Sequence, residues 1–325
     1  MKNTWLVTGA LGCIGAWAIR LIRDRGDDVV GFDLGEDRRR VADLLGPDEL
    51  KQVRWVRGDI TSPTDLREAV EGAGANRLVH LAGLQVPFCA SDPVKGAEVN
   101  VVGTLRVFEA VRDIGLYRVA YASSAAVFGP QGDGPPPDEA TPCQPATLYG
   151  AYKVANESCA AVFAKDHGVS SAGLRPLTVF GVGRDQGLTS GPTRAMKAAV
   201  AGREFLVPFQ GATDFLLARD CAAAFLAAAE GGPEGARVYN LHGESSGVRK
   251  VLDLVEAEVS GAQGTLTCGG DPLPLPEELD GAAFRRDYPE VKFTPLEAGI
   301  TETVHAFQAL RDESRLSLHD LAADG

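Results

Sequence analysis

The chain has 325 residues, of which 45% are apolar and 23% are charged, the composition of an ordinary water-soluble globular protein. Its 44 acidic residues outnumber its 32 basic ones and give a net charge of −12. This excess argues against nucleic acid or an anionic membrane surface as a partner, because both are bound through clustered Lys and Arg. The length is enough for one large domain, alone or with a small appendage.

The cysteines and the N-terminus indicate the type of compartment. Six cysteines are scattered through the sequence without a C-x-x-C pair, so we interpret them as reduced thiols of a cytoplasmic protein and expect no metal site. The first predicted strand follows Met1–Asn3 directly, and we therefore expect no signal peptide. The best candidate for a membrane span, 215–229, is interrupted by Arg219 and Asp220, and we therefore expect none.

Short apolar runs alternate with helical patterns through the first half of the chain. Strands that alternate with helices pair in parallel, and strands that are almost entirely apolar are covered on both faces. We therefore predict an α/β fold: a doubly wound parallel Rossmann sheet with a smaller C-terminal substrate-binding lobe. The strands are predicted over 5–8, 28–33, 53–57, 77–81, 117–122 and 171–174, and the helices over 14–25, 98–114 and 149–167.

A glycine-rich turn joins the first strand to the first helix. In Thr8–Gly15 the sequence reads TGALGCIG. Gly9 allows a tight turn, Gly12 lets the backbone approach a pyrophosphate, and Gly15 allows close packing of helix on strand. The amides of the helix start, at Cys13 and Ile14, then face the phosphates. Such a turn alone also occurs as a plain connection in α/β proteins, so its meaning depends on the residues that follow.

Polar and small residues stand where the next strands end. Asp33 ends the second strand, where a carboxylate accepts the ribose hydroxyls of NAD and repels the 2′-phosphate of NADP. The alternative is that one of the basic residues 38–40 binds that phosphate; otherwise the cluster lies on a solvated helix face. Asp59, followed by Ile60, is placed to reach the adenine or to belong to the start of a helix at residue 61 or 62. Leu81, Ala82 and Gly83 provide small residues where the backbone passes the cofactor.

A Tyr and a Lys four residues apart predict the catalytic group. Tyr149 and Lys153 share one face of a helix, and we expect the ammonium and the cationic nicotinamide together to lower the pKa of the phenol so that it takes a hydroxyl proton. Ser124 would hydrogen-bond the substrate oxygen, and Asn100 would hold a water that relays protons to Lys153. The alternatives are an ordinary exposed helix pair and, for Asn100, a capping role. Tyr152 points to another helix face and is interpreted as packing.

After Arg175 the alternation loosens. We assign 1–175 to NAD binding, 176–311 mainly to a substrate-binding lobe with some segments returning to the sheet, and 312–325 to a loose tail. A proline-rich surface loop is expected over 129–145 and a mobile glycine-rich loop over 181–192. Helices are predicted over 193–201, 220–230, 248–259 and 296–310, and strands over 205–208, 238–241 and 265–267.

These motifs resemble those of the extended short-chain dehydrogenase/reductases, the NAD-dependent epimerase/dehydratase group. The glycine turn looks like T-G-x-x-G-x-x-G, residues 123–129 look like S-S-x-x-V-Y-G, and 149–153 match Y-x-x-x-K. The resemblance covers nearly the whole chain. It implies NAD as cofactor, Tyr149 as the base, Pro176 in the turn beside the nicotinamide, and a homodimer through the helices near 94–114 and 147–167.

One departure from the family bears on the substrate. Nucleotide-sugar members usually carry R-D-F, whose Arg contacts the diphosphate, where this chain has Thr213-Asp214-Phe215. A neutral Thr does not replace a charged donor to phosphate. We therefore expect a smaller polar substrate, such as a sugar, a sugar acid or a hydroxy-metabolite. The likeliest selectors are Gln85 and the loop from Arg184 to Thr189, while Arg184 or Arg219 remains a candidate for compensating the missing charge.

Three functions compete on this sequence. The first is an NAD-dependent dehydrogenase with net redox turnover, and the second is an epimerase or dehydratase that retains its NAD. Dehydration is disfavoured, because Ala125 and Ala126 occupy the place of the family's acid/base pair. The third is a non-catalytic NAD sensor, which the presence of Ser124, Tyr149 and Lys153 together disfavours.

Overall fold

The computed structural model describes residues 2–130, 132 and 134–322. Residues 131 and 133, within the predicted proline-rich loop, and 323–325, within the predicted tail, lie outside the described residues. The backbone forms a central seven-stranded sheet in the order β10-β6-β5-β4-β1-β2-β3, and each neighbouring pair is parallel. The predicted doubly wound parallel α/β fold is confirmed. The strands are β1 Thr4–Thr8, β2 Asp28–Asp33, β3 Arg54–Arg57, β4 Arg77–His80, β5 Arg118–Ala122, β6 Ser170–Pro176, β7 Thr178–Phe180, β8 Phe205–Val207, β9 Ala212–Leu217, β10 Ala236–Leu241, β11 Glu244–Gly247 and β12 Leu266–Cys268.

Helices cover both faces of the sheet, and its inner strands β1, β4 and β5 are accordingly buried along most of their length, whereas the edge strand β3 has no buried residue. Alternate residues of β1 enter different cores: Trp5 and Val7 pack with one, and Leu6 packs with the other. Helices α1 and α10 pack together on the first face, and α4, α7 and α8 lie on the second. The helices are α1 Cys13–Asp24, α2 Arg39–Ala42, α3 Pro47–Lys51, α4 Pro63–Ala73, α5 Val86–Ser91, α6 Pro93–Ala97, α7 Gly103–Asp113, α8 Leu148–His167, α9 Gly191–Val200, α10 Ala218–Glu230, α11 Val248–Glu258, α12 Ala282–Asp287 and α13 Leu296–Asp312.

The C-terminal half builds a second core and also returns to the sheet. Helices α9, α11 and α13 pack around β7, β8 and β9 in an apolar cluster of their own. A three-stranded sheet, β11-β9-β7, and a two-stranded one, β12-β8, belong to this half. Strand β10 forms one edge of the central sheet beside β6, and α10 covers that sheet.

Three strands were not predicted, namely β7, β9 and β11. They are short and pair only with segments distant in the chain, for example Ser246 with Thr213, so no local alternation reveals them. The helix predicted over 98–114 is also more complex. It begins as α6, widens into a π-helical turn at Glu98–Val102 and continues as α7. The helical content was predicted correctly, but the π turn was not.

The expectation of a loose tail after Asp312 was wrong for the described residues up to 322. Helix α13 ends at Asp312, and a 3-10 turn follows at His319–Ala322. The carboxylate of Asp320 is buried and accepts hydrogen bonds from Lys197 Nζ at 2.9 and 3.0 Å. An ion pair with a buried lysine holds this segment against α9, although its sequence is short and polar.

None of the helices in the described part of the chain combines the length and apolar character needed to cross a bilayer. All six cysteines are free thiols. Within residues 2–130, 132 and 134–322, no three His, Cys, Asp or Glu side chains are grouped so that they could hold a metal ion.

Candidate active site at the carboxyl ends of the strands

In the glycine turn between β1 and α1, backbone packs directly against backbone at Gly9 and Gly15. Gly9 has φ of +69°, and a Cβ there would lie 2.6 Å from the amide nitrogen of Ala82, so the turns after β1 and β4 touch. A Cβ on Gly15 would lie 2.2 Å from the carbonyl oxygen of Gly9. Beyond Gly12, helix α1 begins without a side-chain cap or an acidic residue in its first turn. Its uncapped positive end fits the pyrophosphate of a dinucleotide.

Cys13 and Ile14 are the first residues of α1, and both are half-buried beside this turn. Burial raises the pKa of the Cys13 thiol to about 11, so that the side chain is neutral near pH 7. The two residues therefore offer backbone N–H groups at the helix start, as predicted from the motif.

Asp33 lies at the end of β2 and braces the glycine turn. Its carboxylate accepts hydrogen bonds from the backbone N–H of Leu11 and of Gly35, both at 3.0 Å. Carboxylate lone pairs beyond these two bonds are the acceptors that a ribose would need. The position is therefore the one predicted for reading the ribose, and the side chain also fixes the turn itself.

Asp59 lies at the end of β3 and takes part in the local turn before α4. Its Oδ1 accepts hydrogen bonds from the backbone N–H and the hydroxyl of Thr61 at 2.8 and 2.7 Å. Ser62 is the N-cap of α4, and its hydroxyl oxygen accepts a hydrogen bond from the N–H of Asp65 at 3.2 Å. The local role that we offered as the alternative for Asp59 therefore uses its Oδ1, which Thr61 occupies.

The remaining predicted cofactor residues lie in three different environments. Ile60 is buried and fills the space beside Gly103, where a Cβ would lie 2.8 Å from its methyl carbon. Leu81 and Ala82 are half-buried against Gly9, whereas Gly83 is exposed. Pro176 ends β6 opposite Leu241 of β10, so it lies at the carboxyl edge of the sheet with the others.

Tyr149 lies in the first turn of α8 close to Ser124. A Cβ on Gly150 would lie 2.0 Å from the carbonyl oxygen of Ala126, so this turn of α8 lies directly on the short turn after Ser124. Burial raises the pKa of Tyr149, and a hydrogen bond with Ser124 and the charge of Arg184 oppose that rise. The predicted lowering of this pKa is therefore not what the protein alone produces, because desolvation of the phenolate outweighs both groups.

Lys153 is buried one helical turn beyond Tyr149. Its ammonium lies 5.3 Å from the centre of the Tyr149 ring and donates a hydrogen bond to the carbonyl oxygen of Ala122 at 2.7 Å. Burial lowers the pKa of Lys153 to about 8. The ammonium is thus close to the phenol, as the four-residue spacing predicts.

Asn100 projects from the π turn into the same region. Its side-chain nitrogen donates to the carbonyl oxygens of Gly96 and Leu84 at 3.0 and 3.2 Å, whereas its Oδ1 is buried without a hydrogen-bond partner among the described residues. A Cβ on Gly83 would lie 2.7 Å from that oxygen and 3.7 Å from Lys153 Nζ. A buried acceptor beside an ammonium suits a bound water, which is what the predicted relay requires.

A buried chain of hydrogen bonds supports the glycine turn and the π turn together. His80 Nδ1 lies 2.7 Å from the hydroxyl of Thr8, and its Nε2 lies 3.0 Å from the hydroxyl of Thr104. Thr104 donates its proton to the carbonyl oxygen of Asn100 at 2.7 Å, so Nε2 of His80 is the protonated nitrogen and Thr8 donates to Nδ1. His80 is therefore a core histidine. Burial lowers its pKa to about 3, which keeps the ring neutral.

One supporting group near the catalytic residues was missed. Glu157 lies four residues after Lys153 on α8 and accepts hydrogen bonds from the hydroxyl of Ser123 at 2.5 Å and from Arg175 at 2.6 and 2.8 Å. This ion pair is almost fully buried and joins α8 to β5 and β6. The repeated four-residue spacing after Tyr149 was the available signal, because it places Glu157 on the face of Lys153.

The predicted substrate selectors converge from two distant loops. Gln85 lies at the start of α5, and Arg184 donates a hydrogen bond to the hydroxyl of Thr189 at 3.0 Å. A Cβ on Gly187 would lie 2.1 Å from Gln85 Oε1 and 3.4 Å from the Arg184 guanidinium. Within the described part of the chain, Gln85 Oε1 and Arg184 Nε are both buried without a hydrogen-bond partner. The two side chains therefore lie together with unused polar atoms.

The expectation that residues 38–40 share a solvated helix face was wrong for one of the three. Arg38 lies over the ring of Trp55 at 4.8 Å, and Arg39 pairs with Asp37 at the surface. Arg40 is half-buried and pairs with Asp185 at 2.6 Å. Its side chain turns inward because that carboxylate comes from the glycine-rich loop after β7.

Thr213 lies on β9 and is part of the core. It is 1% exposed, and its hydroxyl lies 2.8 Å from that of Thr178. Arg219, one candidate for supplying the missing charge, is bound to Glu302 through two contacts of 2.7 Å. Arg184 is the other candidate, and among the described residues no carboxylate lies within ion-pair distance of it.

Comparison with known proteins places the chain in a family. The model of the NAD dependent epimerase/dehydratase family matches residues 5–241. The chain belongs to this family, and it is an NAD-dependent enzyme of the short-chain dehydrogenase/reductase type.

Individual relatives have different names. The chain is 31% identical to a UDP-glucose 4-epimerase of Mycolicibacterium smegmatis over 80% of this chain and 82% of that protein. It is 32% identical to sterol demethylase protein B of Methylococcus capsulatus over 90% of this chain and 84% of that one. A match to UDP-glucuronate 4-epimerase 6 of Arabidopsis thaliana, at 33% identity, covers only 39% of that relative.

The solved structures agree on the fold. The structure of a UDP-glucose 4-epimerase of Thermus thermophilus in complex with NAD superposes with a TM-score of 0.80 over 94% of this chain and 99% of that one. The two sequences are 23% identical. The fold is therefore that of this family along almost the whole chain.

Proposed function

We propose that the enzyme moves a hydride between NAD and a hydroxyl or carbonyl carbon of a small polar substrate, such as a sugar, a sugar acid or a hydroxy-metabolite. Thr213 is the observation that carries the choice of a small substrate. Its hydroxyl forms a hydrogen bond with that of Thr178 inside the core. The family resemblance implies that nucleotide-sugar members usually carry an arginine at this position. Without that charge, a diphosphate loses a charge-assisted contact.

In this proposal Tyr149 takes the hydroxyl proton as the hydride leaves the substrate carbon. Ser124, which shares a hydrogen bond with Tyr149, binds the substrate oxygen and keeps it at the phenol. Lys153 holds the nicotinamide ribose, and Asn100 holds a water that passes the proton towards solvent. NAD, when bound, accepts or returns the hydride. The arrangement needs no metal, since the phenol performs the proton transfer.

Substrate selection is assigned to Gln85 and Arg184. Both carry buried polar atoms that no described residue satisfies, and Arg184 also affects the pKa of Tyr149 through its charge. A substrate hydroxyl between these side chains would satisfy both, because it donates to Gln85 Oε1 and accepts from Arg184 Nε, whereas a carboxylate would satisfy only Arg184. Arg184 belongs to residues 176–311, the proposed substrate lobe, whereas Gln85 reaches the substrate from residues 1–175, the proposed NAD side.

The second candidate is a sugar or nucleotide-sugar epimerase that retains its NAD. It is favoured by the UDP-glucose 4-epimerase among the relatives. It is opposed by Thr213 and by the engagement of Arg219 with Glu302. Sterol demethylase protein B matches over a similar share of the chain, so the family leaves the substrate open.

We also infer a cytoplasmic homodimer. Four apolar side chains of the helices near 94–114 and 147–167 are exposed by 41 to 71%, and these are Val94, Val102, Leu148 and Val162. A dimer through these helices would cover them. The molar mass in light scattering tests this directly. A monomeric wild-type protein would contradict the inference, and Val162→Asp should shift the mass from dimer to monomer.

The decisive test of the reaction is a panel of alcohols, sugars and sugar acids, assayed with NAD and with NADP by absorbance of the reduced nicotinamide. We expect net reduction of NAD with one class of substrate. NAD that remains bound through purification, with no net reduction on any substrate, would contradict the dehydrogenase proposal.

A matched pair of variants on one helix tests the proposed base. Tyr149→Phe should lower kcat by about 1,000-fold or more with little change in NAD affinity, because only proton transfer is lost. Tyr152→Phe is the control, since its hydroxyl donates to the carbonyl oxygen of Pro93, away from the phenol of Tyr149. Equal activity of the two variants would refute the assignment.

A further inference from the structure

We propose that the Arg40–Asp185 ion pair fastens the loop 181–190 across the glycine turn and thereby slows the release of NAD. The proposal concerns the cofactor and does not depend on the identity of the substrate. It gives Arg40 and Asp185 a positioning role that neither the motif nor the family resemblance assigns to them.

The guanidinium of Arg40 is shared between two segments that are distant in the chain. Its Nε donates to both carboxylate oxygens of Asp185 at 3.0 and 3.1 Å, and its Nη2 donates to one of them at 2.6 Å. Its Nη1 donates to the carbonyl oxygen of Leu11 at 2.9 Å. Leu11 belongs to the glycine turn and Asp185 to the loop after β7, so one side chain joins both.

The rest of the loop continues this contact along α1. The carbonyl oxygen of Val182 accepts a hydrogen bond from Trp17 Nε1 at 2.9 Å. Gly183 has φ of +88°, and a Cβ there would lie 3.8 Å from the Cα and the sulfur of Cys13. The loop therefore crosses the start of α1, where the pyrophosphate of NAD binds in this class of turn.

The charges explain why a pair is used here. Asp185 alone would repel the phosphates of NAD, and Arg40 neutralises it through a two-pronged contact. The side chains are 22% and 14% exposed, so water screens this pair less than the surface pair Arg39–Asp37, whose side chains are 50% and 57% exposed. The Arg40–Asp185 ion pair therefore holds the loop without adding net charge beside the cofactor.

The same loop carries Arg184 and Thr189 on either side of Asp185. Fastening the loop for the cofactor therefore also sets the position of Arg184 beside Gln85. In this arrangement NAD leaves only after the loop lifts from the glycine turn.

The test is the rate of NAD release from the double variant Arg40→Gln/Asp185→Asn. Both charges are removed together, so the net charge beside the cofactor stays the same and only the tie is lost. Release is followed by stopped-flow nicotinamide fluorescence after loading with NADH and chasing with excess NAD. We expect release about tenfold faster than from the wild type. Thermal unfolding confirms that the variant is folded.

The matched control is Asp37→Asn/Arg39→Gln, which removes a neighbouring ion pair at the surface. It should release NADH at the wild-type rate. The proposal is overturned if the folded double variant also releases at that rate, or if the control accelerates release equally. In either case the assignment of Tyr149 as the base is unaffected, because the readout involves no turnover.

A conservative variant keeps the proposal testable if the double variant does not fold. Arg40→Lys keeps the positive charge but loses the planar fork that contacts both oxygens of Asp185. It should release NADH several-fold faster than the wild type. A folded Arg40→Lys protein with the wild-type rate would show that the pair does not hold the loop.

Discussion

The two sides of the candidate site are held by different forces. On the cofactor side, the turns are positioned by glycines in contact and by a neutral chain from Thr8 through His80 to Thr104. On the opposite side, the loops and the C-terminal segment are tied by ion pairs, among them Arg40–Asp185 and Lys197–Asp320. Close backbone packing allows little adjustment, whereas ion pairs between segments can break singly. We infer from this comparison that the turns on the cofactor side are rigid, whereas the loops and the C-terminal segment on the substrate side can move separately when their ion pairs break.

The sharpest test of the rigid side is Gly15→Ala. The new Cβ would lie 2.2 Å from the carbonyl oxygen of Gly9 and 2.9 Å from the Cα of Ala10. These are backbone atoms, so the turn itself must move. We expect the affinity for NAD to fall by about 100-fold or more, which equals ~3 kcal/mol, measured by isothermal titration.

Gly72→Ala serves as its control. Gly72 lies in α4, and a Cβ added there would point into open space, with no described heavy atom outside its own helical neighbourhood within 4 Å. Alanine should leave NAD binding unchanged and raise stability by up to about 1 kcal/mol, because helical glycine is entropically unfavourable. A Gly15→Ala protein with the wild-type affinity for NAD would show that the glycine turn can move to accept the extra carbon.

On the other side, Asp320→Ala removes the partner of a buried lysine. The ammonium of Lys197, in a residue that is 9% exposed, would lose its carboxylate partner, and we expect the free energy of unfolding to fall by about 3 kcal/mol. Asp312→Ala is the control, since that carboxylate is 67% exposed in its pair with Arg311. Urea unfolding measures both. Equal stability of the two variants would mean that the C-terminal segment contributes nothing to the lobe.

The residues of the cofactor side were predictable from the sequence, whereas the contacts of the opposite side were not. The glycine turn, Asp33 and the Tyr149–Lys153 pair lie within short motifs, and the structure brings them to one edge of the sheet because parallel strands end together. The β9–β11 pairing and the Arg40–Asp185 contact join residues far apart in the chain. No local pattern contains such contacts, so Arg40 was expected on a solvated face and the segment around Asp320 was expected to be loose.

The raised pKa of Tyr149 marks another limit of sequence reasoning. The spacing to Lys153 predicts proximity, which the structure shows. The direction of the shift depends instead on how deeply the phenol is buried and on Arg184, a residue from the distant loop. Burial is a property of the assembled site, so motif spacing alone does not give the direction of this shift in the protein without its cofactor.

We expect a smaller free-energy effect from substituting Asp33, the carboxylate at the end of β2 on the cofactor side. Asp33→Ala should lower the preference for NAD over NADP by about tenfold, or ~1.4 kcal/mol, because repulsion of the 2′-phosphate is removed. The ratio of kcat/KM with the two cofactors measures this and cancels any general loosening of the Leu11 turn. Asp28→Ala, at the exposed start of the same strand, should leave the ratio unchanged. An unchanged ratio for Asp33→Ala would mean that another residue reads the ribose.

The neutral chain on the cofactor side predicts a dependence on acid. Burial lowers the pKa of His80 from 6.5 to about 3, so between these values the unfolded chain binds a proton that the folded protein does not. The free energy of unfolding therefore falls with falling pH across this window, by up to about 1.4 kcal/mol per pH unit from this residue. Urea unfolding at pH values of about 6.5 and 4.5, both inside or at the edge of that window, measures the slope.

His80→Gln isolates that contribution, because the carboxylates that titrate in the same window are common to both proteins. The variant starts less stable, since the bonds to Thr8 and Thr104 are disturbed, but its stability should depend less steeply on pH than that of the wild type. His305→Gln is the matched substitution at a surface position, where the side chain is 62% exposed in its contact with Glu258. If wild type and His80→Gln lose stability in parallel, the ring is not held neutral by burial.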